Sequence, residues 1–208
     1  MSRTSRADAT RLFPQLISEI EAPYGRFTVH VLPPKVAHRI AAGEVIERPA
    51  SAAKELMENA PDAGASRVEV EIEGGGLTLI RVRDNGSGMS PEDAITAVGR
   101  HATNKISSAE DLVRVVSLGF RGEALHALSS VSALTLTTRG AGTAHTTHVQ
   151  VLAGGSPERS IAARPKSTTV EVRYLFMNLP VRRGFFGTER AETNTVITVV
   201  EPLAHTTL

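Results

Sequence analysis

Between residues 68 and 83 the hydrophobic period is two. Val68, Val70 and Ile72 alternate with Glu69, Glu71 and Glu73, Gly74-Gly75-Gly76 interrupts the run, and Leu77 to Arg83 resumes it through Leu77, Leu79 and Val82. Such alternation marks half-buried strands joined by a turn. A half-buried sheet needs a layer of other elements on its apolar face, and the flanking sequence supplies helices. Pro33-Pro34 suits a first turn, predicting a helix over Lys35 to Ala42 that ends at Gly43. Pro49 opens a second, with Ala52, Ala53, Leu56 and Met57 on its apolar face. Ser90-Pro91-Glu92-Asp93 is a third start: a capping hydroxyl, Pro at the first position and acids in the first turn.

Further along, a short apolar helix is expected near 109–116 and another from Gly122 to Val131. Leu134 to Thr138, Thr146 to Leu152 and Thr168 to Leu175 read as strands, and Pro180 begins a helical region reaching about Val200. The sum is an α+β fold, a two-layer sandwich of a mixed, mostly antiparallel sheet with helices on one face. Residues 1–28 read as an N-terminal extension. Leu12, Phe13, Leu16, Ile17 and Ile20 have helical spacing, so this stretch is either a short amphipathic helix or a loosely packed arm.

Composition narrows the function classes. The 208 residues suit one domain, or one plus part of another. Lys and Arg number 23 against 22 Asp and Glu, so no global charge points to nucleic acid or a membrane surface. Cys is absent, which excludes thiol catalysis and Cys-ligated zinc. Aromatics at 4% leave few stacking platforms for single strands. No apolar run approaches the roughly 20 residues of a membrane span, and no secretory signal is visible. His30, His38, His126, His145, His148 and His205 have no metal-like context.

Four clusters carry chemistry. Glu55 and Asn59 stand four apart on a helix, so a carboxylate able to deprotonate water sits one turn from an amide oxygen able to ligand Mg²⁺. Asp84-Asn85-Gly86-Ser87-Gly88-Met89 follows a strand; its Asp can accept from an exocyclic amine and its glycines admit a flat ligand. Gly99 to Lys105 carries the Thr103, Asn104 and Lys105 side chains suited to phosphate. Leu118 to Leu125 places Gly119 and Gly122 before a helix start, where free N–H groups and the dipole favour an anion. Each also has a plain reading, as a solvated helix face, a tight turn, a surface loop or a helix entry. Neither the Walker spacing nor a GxGxxG after a first strand is present.

The order of these clusters resembles the GHKL ATPase superfamily. Longer runs are similar to the MutL DNA mismatch-repair family: Ile40 to Ser51, Lys54-Glu55-Leu56, Asp62-Ala63-Gly64-Ala65 and Gly119-Phe120-Arg121-Gly122-Glu123-Ala124-Leu125. The resemblance runs from Val31 to Thr138 and resumes near Thr168 to Phe186. It implies ATP and Mg²⁺ as ligands. Glu55 would be the general base and Asn59 the metal ligand. Asp84 would take the adenine amine beside Gly86, Gly88 and Met89, supported by Thr168. Thr103, Asn104 and Lys105 would lie along the phosphates, and Gly119 to Leu125 would form the lid. Gly43 to Arg48 would order with ATP and contact a second protomer.

Against the family pattern, Pro61 ends or kinks the helix carrying Asn59, and Ser167 replaces the Gly before Thr168. Residues 29–208 would be the ATPase domain, without the second domain that brings a Lys to the γ-phosphate and without the C-terminal dimerisation domain. The resemblance therefore implies a weak ATPase, or a nucleotide-gated interaction module with negligible hydrolysis. Its implied partners are a MutS-type mismatch-recognition protein, DNA, and a second copy only with ATP; because the even charge balance leaves only local basic clusters such as Arg182-Arg183, DNA binding is expected to be weak and strongly salt-dependent. The implied location is cytoplasmic, near the nucleoid.

Overall fold

In the computed structural model, residues 30–100, 102, 122–162 and 167–207 are described. The helices expected within 1–28 and near 109–116 lie outside them. Six strands form one sheet: β1 Val68–Glu73, β2 Leu79–Asp84, β3 Ala133–Thr138, β4 Thr146–Leu152, β5 Glu158–Ala162 and β6 Thr168–Arg173. The order is β1-β2-β6-β3-β4-β5, and every pairing is antiparallel, which sharpens the expected mixed sheet. A tight 3₁₀ turn at Gly74–Gly76 joins β1 to β2, with Gly75 at φ 65°. The helices are α1 Pro34–Val45, α2 Pro49–Asp62, α3 Pro91–Ala97, α4 Ala124–Val131, α5 Pro180–Arg183 and α6 Glu189–Thr207.

One face of the sheet is apolar and the helices cover it. Ile80, Val82, Leu134, Leu136, Val149, Val151, Val170 and Val172 meet Ala53, Leu56 and Met57 of α2, Leu128 and Val131 of α4, and Val196 of α6 in one core. The opposite face carries an ion-pair ladder: Glu71 with Arg81, and Arg81 with Glu171 at 3.0 Å. Glu171 and the adjoining Glu71 carboxylate hold the Arg81 guanidinium above its ordinary pKa. Glu71 is exposed while Arg81 and Glu171 are half-buried, so the ladder joins a surface pair to a partly shielded one.

Several boundaries differ from the sequence reading. Helix α1 continues through Gly43 to Val45. Strand β2 begins at Leu79, because Gly74 to Leu77 are taken up by the turn, whose carbonyl at Gly74 accepts from Leu77 N–H at 3.1 Å. Helix α4 begins at Ala124 rather than Gly122, whose φ of 59° is not helical. Strand β6 stops at Arg173, since Tyr174 turns to φ 55°. The single C-terminal helical region is two helices, and α6 runs past Pro202 to Thr207. Packing of Leu203 and Ala204 on the core holds that last stretch helical despite the lost hydrogen bond. Strand β5 was not foreseen; it is almost wholly exposed, so burial left no alternation to read.

Candidate functional site

A cleft of about 940 Å³ opens between the helices and the ends of β2 and β6. Its floor is set by register. Asp84 on β2 pairs with Thr168 on β6, and Thr168 with Thr138 on β3. Thr138 Oγ1 accepts from Met89 N–H at 3.0 Å and lies 3.0 Å from Thr168 Oγ1. If Thr138 donates to Thr168, the Thr168 proton is left to turn toward the cleft. Asp84 is buried, and Oδ1 accepts from Gly86 N–H at 2.8 Å. Burial raises its carboxyl pKa, and the Gly86 hydrogen bond partly opposes that.

The loop after β2 is fixed from behind. Asn85 Oδ1 accepts from Ser66 and Arg67 N–H at 2.9 and 3.0 Å, so this residue clamps β1 to β2. Ser87 N–H donates to Ala63 O at 2.8 Å, tying the loop to the end of α2. Gly86 packs tightly against the end of α2. Its α-carbon backs onto Ala63, and a β-carbon there would stand 2.7 Å from Ala63 O. Gly88 lines the cleft; its φ is 70°, and a β-carbon would collide with Arg139 O. Both glycines are therefore required by close backbone approach.

Glu55 and Asn59 both line the cleft from α2. Lys54 and Glu58 lie beside them as an i,i+4 pair at 3.5 Å. Pro61 falls in the last turn: the helix ends at Asp62, and Pro61 O accepts from Gly64 N–H at 2.8 Å. The helix stays continuous through Asn59, although Pro61 cannot donate to Met57 O in the turn that holds Asn59. Facing α2, Gly122, Glu123, Ala124 and Leu125 bring the start of α4 to the cleft. Thr103, Asn104, Lys105, Gly119, Phe120 and Arg121 lie outside the described residues.

Sequence reasoning missed three sets of lining or supporting residues. Ala41, Glu44 and Val45 form a wall from α1, and Asp93, Thr96 and Ala97 form one from α3. Thr138 supports the floor. The cap of α3 was legible, with Ser90 Oγ accepting from Asp93 N–H at 3.0 Å, but nothing local says which face meets the cleft. His148 Nδ1 lies 2.9 Å from Thr137 Oγ1 across β3 and β4, a structural contact. Among the described residues no group of three His, Cys, Asp or Glu could hold a metal ion.

Residues 46–175 match the family described as histidine kinase-, DNA gyrase B- and HSP90-like ATPases, and the chain belongs to that family. Within it, the DNA mismatch repair protein MutL of Mannheimia succiniciproducens is 53% identical over 178 residues, covering 85% of this chain and 28% of that protein. MutL of Pseudomonas entomophila is 51% identical over 181 residues, 86% of this chain and 29% of its own length. The chain thus spans under a third of these curated relatives. Among solved structures, the Aquifex aeolicus MutL ATPase domain complexed with ADP aligns at a TM-score of 0.60 and 38% identity, covering 77% of this chain and 56% of that one. The N-terminal domain of a DNA repair protein aligns at 0.68 and 34% identity, over 82% and 50%. The MutL resemblance read from the motifs is borne out.

Proposed function

We propose that this chain is the ATP-binding, Mg²⁺-dependent ATPase module of a MutL-type mismatch-repair protein, coupling nucleotide state to engagement of DNA and a MutS-type partner. The observation that carries the reading is the Asp84 carboxylate: buried at the cleft floor, with Oδ1 held by Gly86 and Thr168 beside it. A desolvated acceptor with one committed oxygen suits an exocyclic amine, as on adenine. Asp84→Asn is expected to weaken ATP binding by at least about 1–3 kcal/mol, the cost of a mismatched buried polar group. GTP is expected to bind the parent poorly, since its O6 is an acceptor facing an acceptor. Equal affinity for ATP and GTP in a titration counts against the assignment.

The raised pKa of Asp84 gives a pH test. Between its ordinary and raised values the native state holds a proton that the unfolded chain has lost, so stability falls as pH rises through that window. ATP affinity runs the other way, falling as acidification protonates the acceptor. Asp84→Asn is expected to flatten both profiles, and to melt no lower than the parent at neutral pH.

The described cleft is lined by the carboxyl groups of Glu44, Glu55, Glu58, Asp62, Asp84, Asp93 and Glu123 against one cation, Lys54. A divalent cation on a triphosphate would offset repulsion between the phosphates and any carboxylate that faces them. Asn59 offers one hard oxygen donor, fitting an ion that keeps most of its waters and takes the rest of its ligands from phosphate. When bound, Mg²⁺ would neutralise charge on the transferring phosphoryl group. Glu55 would orient a water and take its proton, and the first N–H groups of α4 would hold phosphate oxygens. Chelating the metal with EDTA is expected to weaken ATP binding about tenfold or more and abolish turnover. ATP binding unaffected by EDTA would remove the metal from this reading. Slow turnover, and dimerisation confined to the ATP-bound state, belong to the same proposal.

A further inference from the structure

The end of α1 departs from helix rules in a way that points elsewhere in the chain. Gly43 sits inside the helix, where glycine is unfavourable, and it is buried. A β-carbon there would stand 2.5 Å from Nη1 of Arg182 on α5. The same guanidinium lies 5.3 Å from the centroid of Phe176, and its Nη2 donates to Glu47 O at 3.4 Å across 135 positions of sequence. Phe176 is wholly buried, stacks on Phe186 at 5.3 Å and holds a left-handed φ of 61°. A glycine where alanine would serve the helix, and a phenylalanine in a conformation it rarely adopts, meet on one arginine. Helix α1 supplies the Ala41, Glu44 and Val45 wall of the cleft.

We propose that Arg182 is a positioning residue: lying against Phe176 and Gly43, it fixes where α1 stands over the cleft and so sets nucleotide affinity. It leaves the chemical step, assigned to Glu55 on α2, alone. A planar guanidinium suits the role because it can lie flat on a ring and on a bare α-carbon while still donating to a carbonyl; an ammonium cannot. The proposal rests on the nucleotide reading above.

The test compares the parent with Arg182→Ala, Arg182→Lys, Gly43→Ala and the Gly43→Ala/Arg182→Ala pair. Melting temperature without nucleotide, Kd for Mg²⁺-ATP and turnover at saturating ATP are measured on each. Arg182→Ala is expected to weaken ATP binding about 3–10-fold with saturated turnover within about twofold of the parent, and Lys to restore only part of the loss. Gly43→Ala, which obliges the guanidinium tip to shift off α1, is expected to weaken ATP binding in the same direction and to raise the melting temperature less than it does where Arg182 is absent. In the Arg182→Ala background it is expected to raise the melting temperature, because alanine then improves the helix unopposed. Failure of the parent to bind ATP overturns the nucleotide reading and the proposal with it. ATP binding by the parent with unchanged affinity in Arg182→Ala overturns the proposal alone, as does a Gly43→Ala effect on melting temperature that is equal in both backgrounds. Should Arg182→Ala fail to fold, the affinity of Gly43→Ala decides.

Discussion

Glu55→Ala is expected to lower ATP turnover by about 10²–10⁴-fold, the range for losing a positioned general base. Affinity for ATP is expected to stay close to the parent's or to tighten slightly, since one of the cleft's carboxylates is removed from around an anionic ligand. The choice of Glu55 rests on its place in the cleft beside Asn59 and on the family motif that it matches. Asp84 lies at the cleft floor with Oδ1 committed to Gly86. No His is among the described residues that line the cleft. Glu55 stands one turn before Asn59, on the same helical face and in the same cleft. Single-turnover kinetics with a parallel ATP titration separates the two effects. Hydrolysis at the parent rate would remove Glu55 from the mechanism, and a large loss of affinity would make it a binding residue.

The largest stability effect is expected outside the cleft. Arg48, the N-cap residue of α2, donates through Nη2 to both oxygens of Glu192 on α6, at 3.0 and 3.1 Å. The Glu192 side chain is only 4% exposed, while that of Arg48 is 43% exposed. The same carboxylate accepts from Gly187 N–H at 3.2 Å. Arg48→Met leaves a buried anion with one backbone donor. Unfolding in denaturant should show a loss of about 3 kcal/mol, the low end for breaking a buried pair because Arg48 reaches water. Replacing both, as Arg48→Met with Glu192→Leu, is expected to recover most of it, since no charge is then stranded. A loss below about 0.5 kcal/mol for Arg48→Met would place this pair with ordinary surface bridges.

The two predictions differ in how much of them could be read from the chain alone. The Glu55/Asn59 pair was legible because a helix face is a local property: spacing of four puts two side chains one turn apart wherever the helix goes. The β1–β2 hairpin was legible for a similar reason, since period-two alternation and three glycines act over a few residues. The Arg48–Glu192 pair was not, because 144 positions separate its members and each looks like any surface charge in sequence. The walls from α1 and α3 escaped likewise. Their residues are ordinary for exposed helix positions, and only the packing of those helices turns them toward a cavity.

The Asp84 floor falls between these cases. Its Asp and glycines formed a recognisable turn after a strand, yet the same residue types make ordinary turns. What distinguishes the site is the row Asp84, Thr168, Thr138, which exists only once β2, β6 and β3 are in register. Residues 138 and 168 lie 30 positions apart, and nothing near either one signals that its hydroxyl will meet the other. Strand β5 is the converse. Its ladder to β4 is made by main-chain groups that every residue carries, so an exposed edge strand need leave no side-chain pattern.

By itself, then, the sequence determined the two-layer class, the strands and helices whose periodicity is strong, and a Glu and an Asn on one helical face. All of these depend on interactions within a few residues. Only the tertiary structure decided which carboxylate is desolvated, which hydroxyls line up beneath the cleft, and which arginine lies against Gly43. Those outcomes depend on burial and register, which are set by segments remote in sequence and carry no local mark.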